Sequence, residues 1–169
     1  MLPVQYTKYM KGLCVVRIRN YQVSDAKELW DIYFHTVRNI NARDYSQEQV
    51  EAWAPSDFDP EVWEKCLYRI QPFVAELDGH VVGYTDLQPN GLIDHFFCHH
   101  EYQGRGVGRA LMEHVFEVGR FRGVSRYFSE VSITARPFYE HLGFKLVNEQ
   151  EVEIRGVKLT NYVMEKTTK

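Results

Sequence analysis

The sequence predicts a single α/β (α+β) domain: a mixed, mostly antiparallel sheet flanked by helices, with one central β-α-β crossover. Three observations carry this. Apolar residues switch between helical spacing and strand alternation along the chain. Asp78-Gly79 and Arg155-Gly156 each separate two strand-like runs, the mark of a hairpin. Between those hairpins a strand enters a glycine-rich turn, an amphipathic helix follows, and then another strand, which makes a crossover. No repeat, low-complexity stretch or second core is visible, so one domain is expected over residues 14–169, behind an N-terminal extension, 1–13.

Cys14 to Arg19 alternates as a first strand, with Val16 and Ile18 set against Arg17 and Arg19. Ser24 reads as the N-cap of a first helix. Asp25 and Glu28 suit its dipole, and Leu29, Ile32, Tyr33 and Val37 follow at helical spacing. A second helix is expected from Ser46, its cap, to Trp53, with Pro55 stopping it. A third starts at Pro60, a good first-turn residue, and ends at Arg69. After Pro72 the period becomes that of strands: Phe73–Leu77, His80–Leu87 and, past the Pro89-Asn90-Gly91 turn, Leu92–His99. From Gly104 a helix forms on the stripe Val107, Leu111, Val115 and Val118 and ends near Gly119–Gly123. Tyr127–Val131 is a strand and Ala135–Leu142 a short helix closed by Gly143. Phe144–Glu151 and Val157–Glu165 form the last hairpin.

Composition narrows the function classes. Lys+Arg 20 against Asp+Glu 23 leaves a net charge of −3, which speaks against a protein whose main task is non-specific nucleic-acid binding. With 44% hydrophobic and 25% charged residues, the chain is not of the disordered kind. No apolar run approaches the ~20 residues of a membrane span. The first dozen residues lack the apolar stretch of a secretory signal. Cys14, Cys66 and Cys98 are odd in number and far apart, so neither a disulfide framework nor a zinc knuckle is expected. A cytoplasmic, reduced protein is the expectation, with no membrane or nucleic-acid partner and with homodimerisation left open.

Chemistry concentrates in residues 96–109. A strand runs into Gln103-Gly104-Arg105-Gly106-Val107-Gly108-Arg109 and out into a helix. Free backbone N–H groups at a helix start, with the helix dipole, make an anion site, and glycines let a phosphate approach the backbone. Arg105 and Arg109 add charge. The bland alternative is a tight strand-to-helix turn and nothing more. A Walker A loop would need Gly-Lys-Ser/Thr, and the chain has Gly108-Arg109-Ala110. A dinucleotide fingerprint would need another glycine spacing near the first strand of a parallel sheet.

The stretch Gln103-Gly104-Arg105-Gly106-Val107-Gly108 resembles the Gln/Arg-x-x-Gly-x-Gly/Ala signature of the GCN5-related N-acetyltransferase (GNAT) superfamily. A second block, Ala135-Arg136-Pro137-Phe138-Tyr139-Glu140-His141-Leu142-Gly143-Phe144, is similar to that family's Ala-x-x-x-Tyr-x-x-x-Gly-Phe. The resemblance spans Val15–Lys166 and agrees in strand order. It implies the GNAT fold, acetyl-CoA as donor and direct acetyl transfer to a primary amine of a small molecule or peptide. It also implies that Phe97 and Cys98 pair with the pantetheine arm, and that Gln103, Gly104, Arg105, Gly106, Val107, Gly108 and Arg109 hold the pyrophosphate. Where many members carry Asn, this chain has Ser132, whose reach is shorter.

Direct transfer needs a neutral amine and a protonated leaving thiol. The resemblance makes Tyr139 the acid; read alone, it is a core aromatic beside Phe138. For the base, Asp94 is the first candidate, facing core or cleft, and burial would raise its pKa. His95, or a water chain, is the alternative, and Asp86 and Glu130 are weaker ones. His95, His99 and His100 do not have a trusted zinc spacing, so no metal is expected. Cys98 reads as a buried apolar thiol. Among Trp30, Tyr33, Phe34, Tyr45, Trp53, Phe58 and Trp63, some rings are expected to line the acceptor site, with Asp44, Asp57 and Asp59. A non-catalytic acetyl-CoA or CoA sensor on the same fold is the competing function.

Overall fold

A computed structural model describes residues 15–168 together with the short strand Gln5–Tyr6. Of the expected extension, only that strand (β1) is described. It pairs antiparallel with Arg17–Asn20 (β2) through Gln5–Ile18 and Tyr6–Arg17. The remainder of 1–13, and Cys14, lie outside the described residues.

Arg17–Asn20, Phe73–Leu77 (β3), His80–Thr85 (β4) and Phe96–Cys98 (β5) continue an antiparallel sheet in the order β1-β2-β3-β4-β5. Arg126–Ser132 (β6), Lys145–Ile154 (β7) and Val157–Thr167 (β8) form a second sheet, ordered β6-β8-β7. Where one sheet was expected there are thus two. They meet in parallel fashion at the Leu92–Phe128 bridge, where Ile93 N–H donates to Phe128 O (2.9 Å) and Phe128 N–H to Gly91 O (3.1 Å). Past that point β5 pairs only with β4 and β6 only with β8, so the two strands part and leave a wedge. The helix Val107–Phe121 (α4) makes the expected crossover between them.

Both faces of the larger sheet are covered, which is why β3 places apolar side chains on both faces rather than alternating, with Glu76, the partner of Arg19, as its one charged residue. On one face Ile18, Ala75 and Val82 pack against Leu111, Met112 and Val115 of α4, and Tyr139 of Arg136–His141 (α5) joins them. On the other, Val74 and Tyr84 pack against Leu29 and Ile32 of Ala26–Asn39 (α1) and Trp63 and Leu67 of Pro60–Ile70 (α3). Gln47–Trp53 (α2) puts Val50 with Val37, Tyr45 and Leu159, tying α1 to the smaller sheet.

The expected Ser46 cap forms, and Asp59 caps α3 as well. Ser46 and Gln49 exchange side-chain bonds to each other's N–H groups (3.2 and 2.9 Å), and Asp59 accepts from Glu61 and Val62 N–H ahead of Pro60. The Ser24 cap does not form. A single 3-10 turn, Val23–Asp25, precedes α1, and Asp25 is buried instead. Its carboxylate receives Gln22 N–H (2.8 Å) and the Arg19 guanidinium in a two-pronged pair (2.7 and 2.9 Å). Glu76 takes the third Arg19 nitrogen at 2.7 Å. A long-range ion pair therefore outweighs the local hydroxyl.

The strand expected over Leu92–His99 survives only as Phe96–Cys98. The cause is Asp86, fully buried at the end of β4. Its Oδ1 accepts both Asp94 N–H (3.0 Å) and His95 N–H (2.7 Å), so the segment bends around a carboxylate instead of pairing. Burial pushes the Asp86 carboxyl up to about 6, against the pull of those N–H donors. Folding therefore favours its protonated form, and this contribution is present at low pH and lost as pH rises through about 6. Between pH 5 and pH 7 that amounts to about 1 kcal/mol. We expect the stability difference between wild type and Asp86→Asn, followed by urea unfolding, to shift by this amount in favour of wild type at pH 5. A difference independent of pH would contradict it.

Candidate active site

A 3-10 turn, His100–Tyr102, leads from β5 to the glycine turn, where Gln103 Nε2 folds back onto Cys98 O (2.9 Å) and His99 O (3.3 Å). Helix α4 then begins at Val107 with Gly106 as its N-cap, no side-chain cap and no acid in the first turn. Its first backbone bond is Ala110 N–H to Gly106 O (3.0 Å), so the N–H groups of Val107 and Gly108 have no acceptor within the helix. Gly104 and Gly106 hold φ of +72° and +82°, and a Cβ at either would meet no protein atom within 4 Å. The mouth of the turn is thus an open, electropositive cradle of backbone N–H groups, and it fits a diphosphate. Arg105 lies over the Tyr102 ring (4.8 Å), and Arg109 is bonded to Glu113 (3.3 Å). Gly108 serves packing: a Cβ there would come within 3.2 Å of Phe138 and 3.4 Å of Cys98 Sγ.

The peptide groups of β5 have a definite phase. His99 N–H bonds Val82 O (2.8 Å) and Asp86 N–H bonds His95 O (3.3 Å), so Phe97, between them, exchanges its peptide bonds with Tyr84. Those of Phe96 and Cys98 face the wedge. Cys98 O is taken by Thr36 Oγ1 (2.8 Å) and Gln103, which leaves the N–H groups of Phe96 and Cys98 on the free edge. Of the two residues expected to pair with a ligand arm, Cys98 presents its N–H there. Phe97 turns inward, and Phe96 stands in its place.

The wedge opens into a cleft of about 920 Å³, bordered by Tyr139, Asp94, Ser132 and the residues expected to hold acetyl-CoA, all except Arg105. Tyr139 enters it from α5, 2% exposed, between the rings of Phe96 (5.9 Å) and Phe144 (4.9 Å). Its hydroxyl is hydrogen-bonded to Ser129, which in turn donates to Ile93 O (2.8 Å). Burial pushes the Tyr139 hydroxyl well above the usual phenol range, so it stays protonated. Cys98 is apolar in its surroundings, and burial pushes its thiol up to about 12, away from nucleophilic character. Ser132 Oγ accepts Ala135 N–H (3.0 Å) and Asn41 Nδ2 (3.2 Å), holding the turn ahead of α5.

Asp94 borders the cleft but is exposed rather than buried, and its carboxylate is bonded to Arg69 at 2.8 Å. His95 is the more enclosed group. Its Nδ1 lies 3.2 Å from Tyr84 Oη and its Nε2 3.8 Å from Cys66 Sγ. Burial lowers its pKa and the Asp94 charge opposes that, which favours the neutral imidazole. Of the aromatic set, Tyr33, Tyr45 and Trp53 border the cleft, whereas Trp30, Phe58 and Trp63 pack together beneath it. Asp44, Asp57 and Asp59 do not border it. Sequence reading passed over Asn161 and Thr134, whose side-chain oxygens are buried in the cleft wall with no partner. No local pattern marks such atoms. Among the described residues no group of three His, Cys, Asp or Glu side chains converges to hold a metal.

The chain and its fold are similar to known proteins. The model of an acetyltransferase (GNAT) domain matches residues 41–166. An uncharacterized N-acetyltransferase, YafP of Escherichia coli, is 35% identical over 149 residues, covering 88% of this chain and 94% of that protein. The crystal structure of a GCN5-related N-acetyltransferase from Rhodopseudomonas palustris superposes with a TM-score of 0.85 at 30% identity, covering 89% of this chain and 94% of the other. The PaiA N-acetyltransferase of Thermoplasma acidophilum, solved in complex with coenzyme A, shares the fold with a TM-score of 0.72 at 18% identity, covering 90% and 99%.

Proposed function

The chain belongs to the GNAT family of acetyltransferases, and on that premise we propose that residues 14–169, as one domain, transfer the acetyl group of acetyl-CoA directly to a primary amine of a small molecule or peptide. The carrying observation is the placement of three features in one cleft: the open glycine turn of α4, the free N–H edge of β5 and the buried hydroxyl of Tyr139. When bound, acetyl-CoA supplies an acetyl thioester whose C–S bond breaks as the amine forms its C–N bond, leaving CoA thiol and an acetamide.

The N–H groups of the turn from Gln103 to Gly108 and of the start of α4 hold the diphosphate, with Arg105 and Arg109 beside them. The N–H groups on the free edge of β5 orient the amide arm. Ser132 braces the turn that carries Tyr139. Asp94 takes one proton from the incoming amine, and Tyr139 Oη delivers one to the departing sulfur, so protons balance.

Thiol release from acetyl-CoA across a panel of primary amines tests this reading. CoA binding without thiol release from any amine would favour the sensor. Stabilisation against heat by ATP as strongly as by CoA would favour a nucleotide-binding protein. Cys98→Ala is expected to retain most turnover, because a buried, protonated thiol only packs. Loss of activity with the fold and CoA binding intact would point to an acetyl-cysteine route.

Gly106→Val is expected to weaken CoA binding by about 10- to 100-fold, the value of one charge-assisted contact or more. A Cβ there meets no protein atom within 4 Å and so starts the side chain into the open mouth of the turn. Gly106→Ala carries the same positive-φ strain with one methyl and serves as the control. Native CoA affinity, by calorimetry, in a folded Gly106→Val protein would remove the turn from the binding site.

A further inference from the structure

The part of the cleft away from the glycine turn is floored by one face of the β6-β8-β7 sheet. Leu159 and Val163 flank Asn161 on β8, and Val152 and Ile154 extend the floor from β7. Opposite stand the rings of Tyr33, Trp53 and Phe97. The polar tips of these walls are already engaged. Tyr33 Oη donates to Trp53 O (2.8 Å), and Tyr45 Oη donates to Thr160 O (2.7 Å) and accepts Ile133 N–H (2.9 Å). Thr36 and Ser132 bond the backbone, and Asp94, ion-paired with Arg69, is kept for the proton transfer proposed above. What remains for a ligand is ring faces, methyl groups, the Thr134 hydroxyl and two carbonyl or carboxylate acceptors.

Those acceptors are Asn161 Oδ1, buried without a partner, and the Glu130 carboxylate, which makes no hydrogen bond or ion pair among the described residues. Across the β6–β8 ladder Ser132 faces Asn161 and Glu130 faces Val163. Glu130 and Asn161 are therefore diagonal neighbours, roughly 7–8 Å apart at the backbone, with room for one donor group between their side chains. A buried acceptor left unmade is costly, and an N–H donor relieves it.

Resting on the acetyltransferase reading above, we propose that the acceptor is a monocationic primary amine on an apolar, aromatic-sized body, its ammonium group held between Glu130 and Asn161 until it gives one proton to solvent and attacks as the neutral amine. A polyamine would set its further charges against Leu159 and Ile154, since among the described residues only Asp94 and Glu130 bring carboxylates to the cleft. An amino sugar would leave its hydroxyls unpaired against the same residues. A flat aromatic body instead stacks among Tyr33, Trp53 and Phe97, and those rings also favour a nearby cation.

The test uses the full chain with 2-phenylethylamine, spermidine, glucosamine and an alanine-initiated peptide. Thiol release gives kcat and KM, and titration calorimetry on the CoA-saturated protein gives amine affinity. We expect kcat/KM for 2-phenylethylamine to exceed the others by about 10-fold or more. Glu130→Gln and Asn161→Leu should each weaken 2-phenylethylamine binding about 10-fold, with CoA affinity unchanged. Preference for spermidine, glucosamine or the peptide would overturn the proposal, as would native 2-phenylethylamine affinity in both variants. If CoA binds and no amine releases thiol, the transferase reading fails. In that event calorimetric 2-phenylethylamine binding that is lost in Glu130→Gln still supports the pocket assignment, and absence of binding overturns it.

Discussion

Tyr139→Phe is expected to lower turnover about 10-fold or more while leaving CoA affinity and melting temperature nearly unchanged. General-acid help is typically worth about 10²–10⁴-fold, and the modest end applies because water can protonate a good leaving thiolate. The substitution removes one oxygen and keeps the ring between Phe96 and Phe144. It also releases Ser129, which keeps its bond to Ile93 O (2.8 Å), so no buried hydroxyl is orphaned. A purely packing role gives the opposite result: full activity in Tyr139→Phe and loss of stability in Tyr139→Ala, where a buried ring is deleted at a cost of about 3–5 kcal/mol. Turnover and melting temperature of both variants separate the two. Full activity in a stable Tyr139→Phe protein would leave solvent as the acid.

Gly91→Ala is expected to destabilise the fold by about 3 kcal/mol or more, lowering the melting temperature by roughly 6–12 °C. Gly91 sits at φ +90°, and a Cβ there would lie 1.9 Å from Arg126 O, a backbone atom with no rotamer to escape into. Its own carbonyl accepts Phe128 N–H (3.1 Å), one of the bonds that join the two sheets. Moving this junction also reshapes the wedge, so activity below the melting point should fall too. Gly106→Ala shares the positive φ but has open space before it, so it should lose only about 1–2 kcal/mol. A Gly91→Ala protein that melts within about 2 °C of wild type would disprove this account of the junction.

Much of the fold was legible locally. The Asp78-Gly79 and Arg155-Gly156 hairpins, the Ser46 cap, the Pro60 start and the apolar stripe of α4 all appear as read, because each is decided by residues a few positions apart. The glycine turn and the tyrosine block were legible for the same reason: spacing within a dozen residues carries their geometry. The misread elements share a different cause. Ser24 lost the start of α1 to an Arg19–Asp25 pair buttressed by Glu76 from β3, and Leu92–His95 left the ladder for a buried carboxylate of β4.

By itself, then, the sequence determined the order of elements, the glycine-rich turn and the family, since periodicity, turn chemistry and motif spacing are properties of neighbouring residues. Only the tertiary structure decided that the sheet divides at Leu92–Phe128, that Phe96 rather than Phe97 shares the free edge with Cys98, and that Asp94 meets Arg69 in the open. Asn161 and Glu130 came to one cleft wall in the same way, through the β6–β8 register. Strand phase, burial and the lack of a hydrogen-bond partner depend on which distant residues close around a group. Long-range packing settles that, and no local pattern in the chain encodes it.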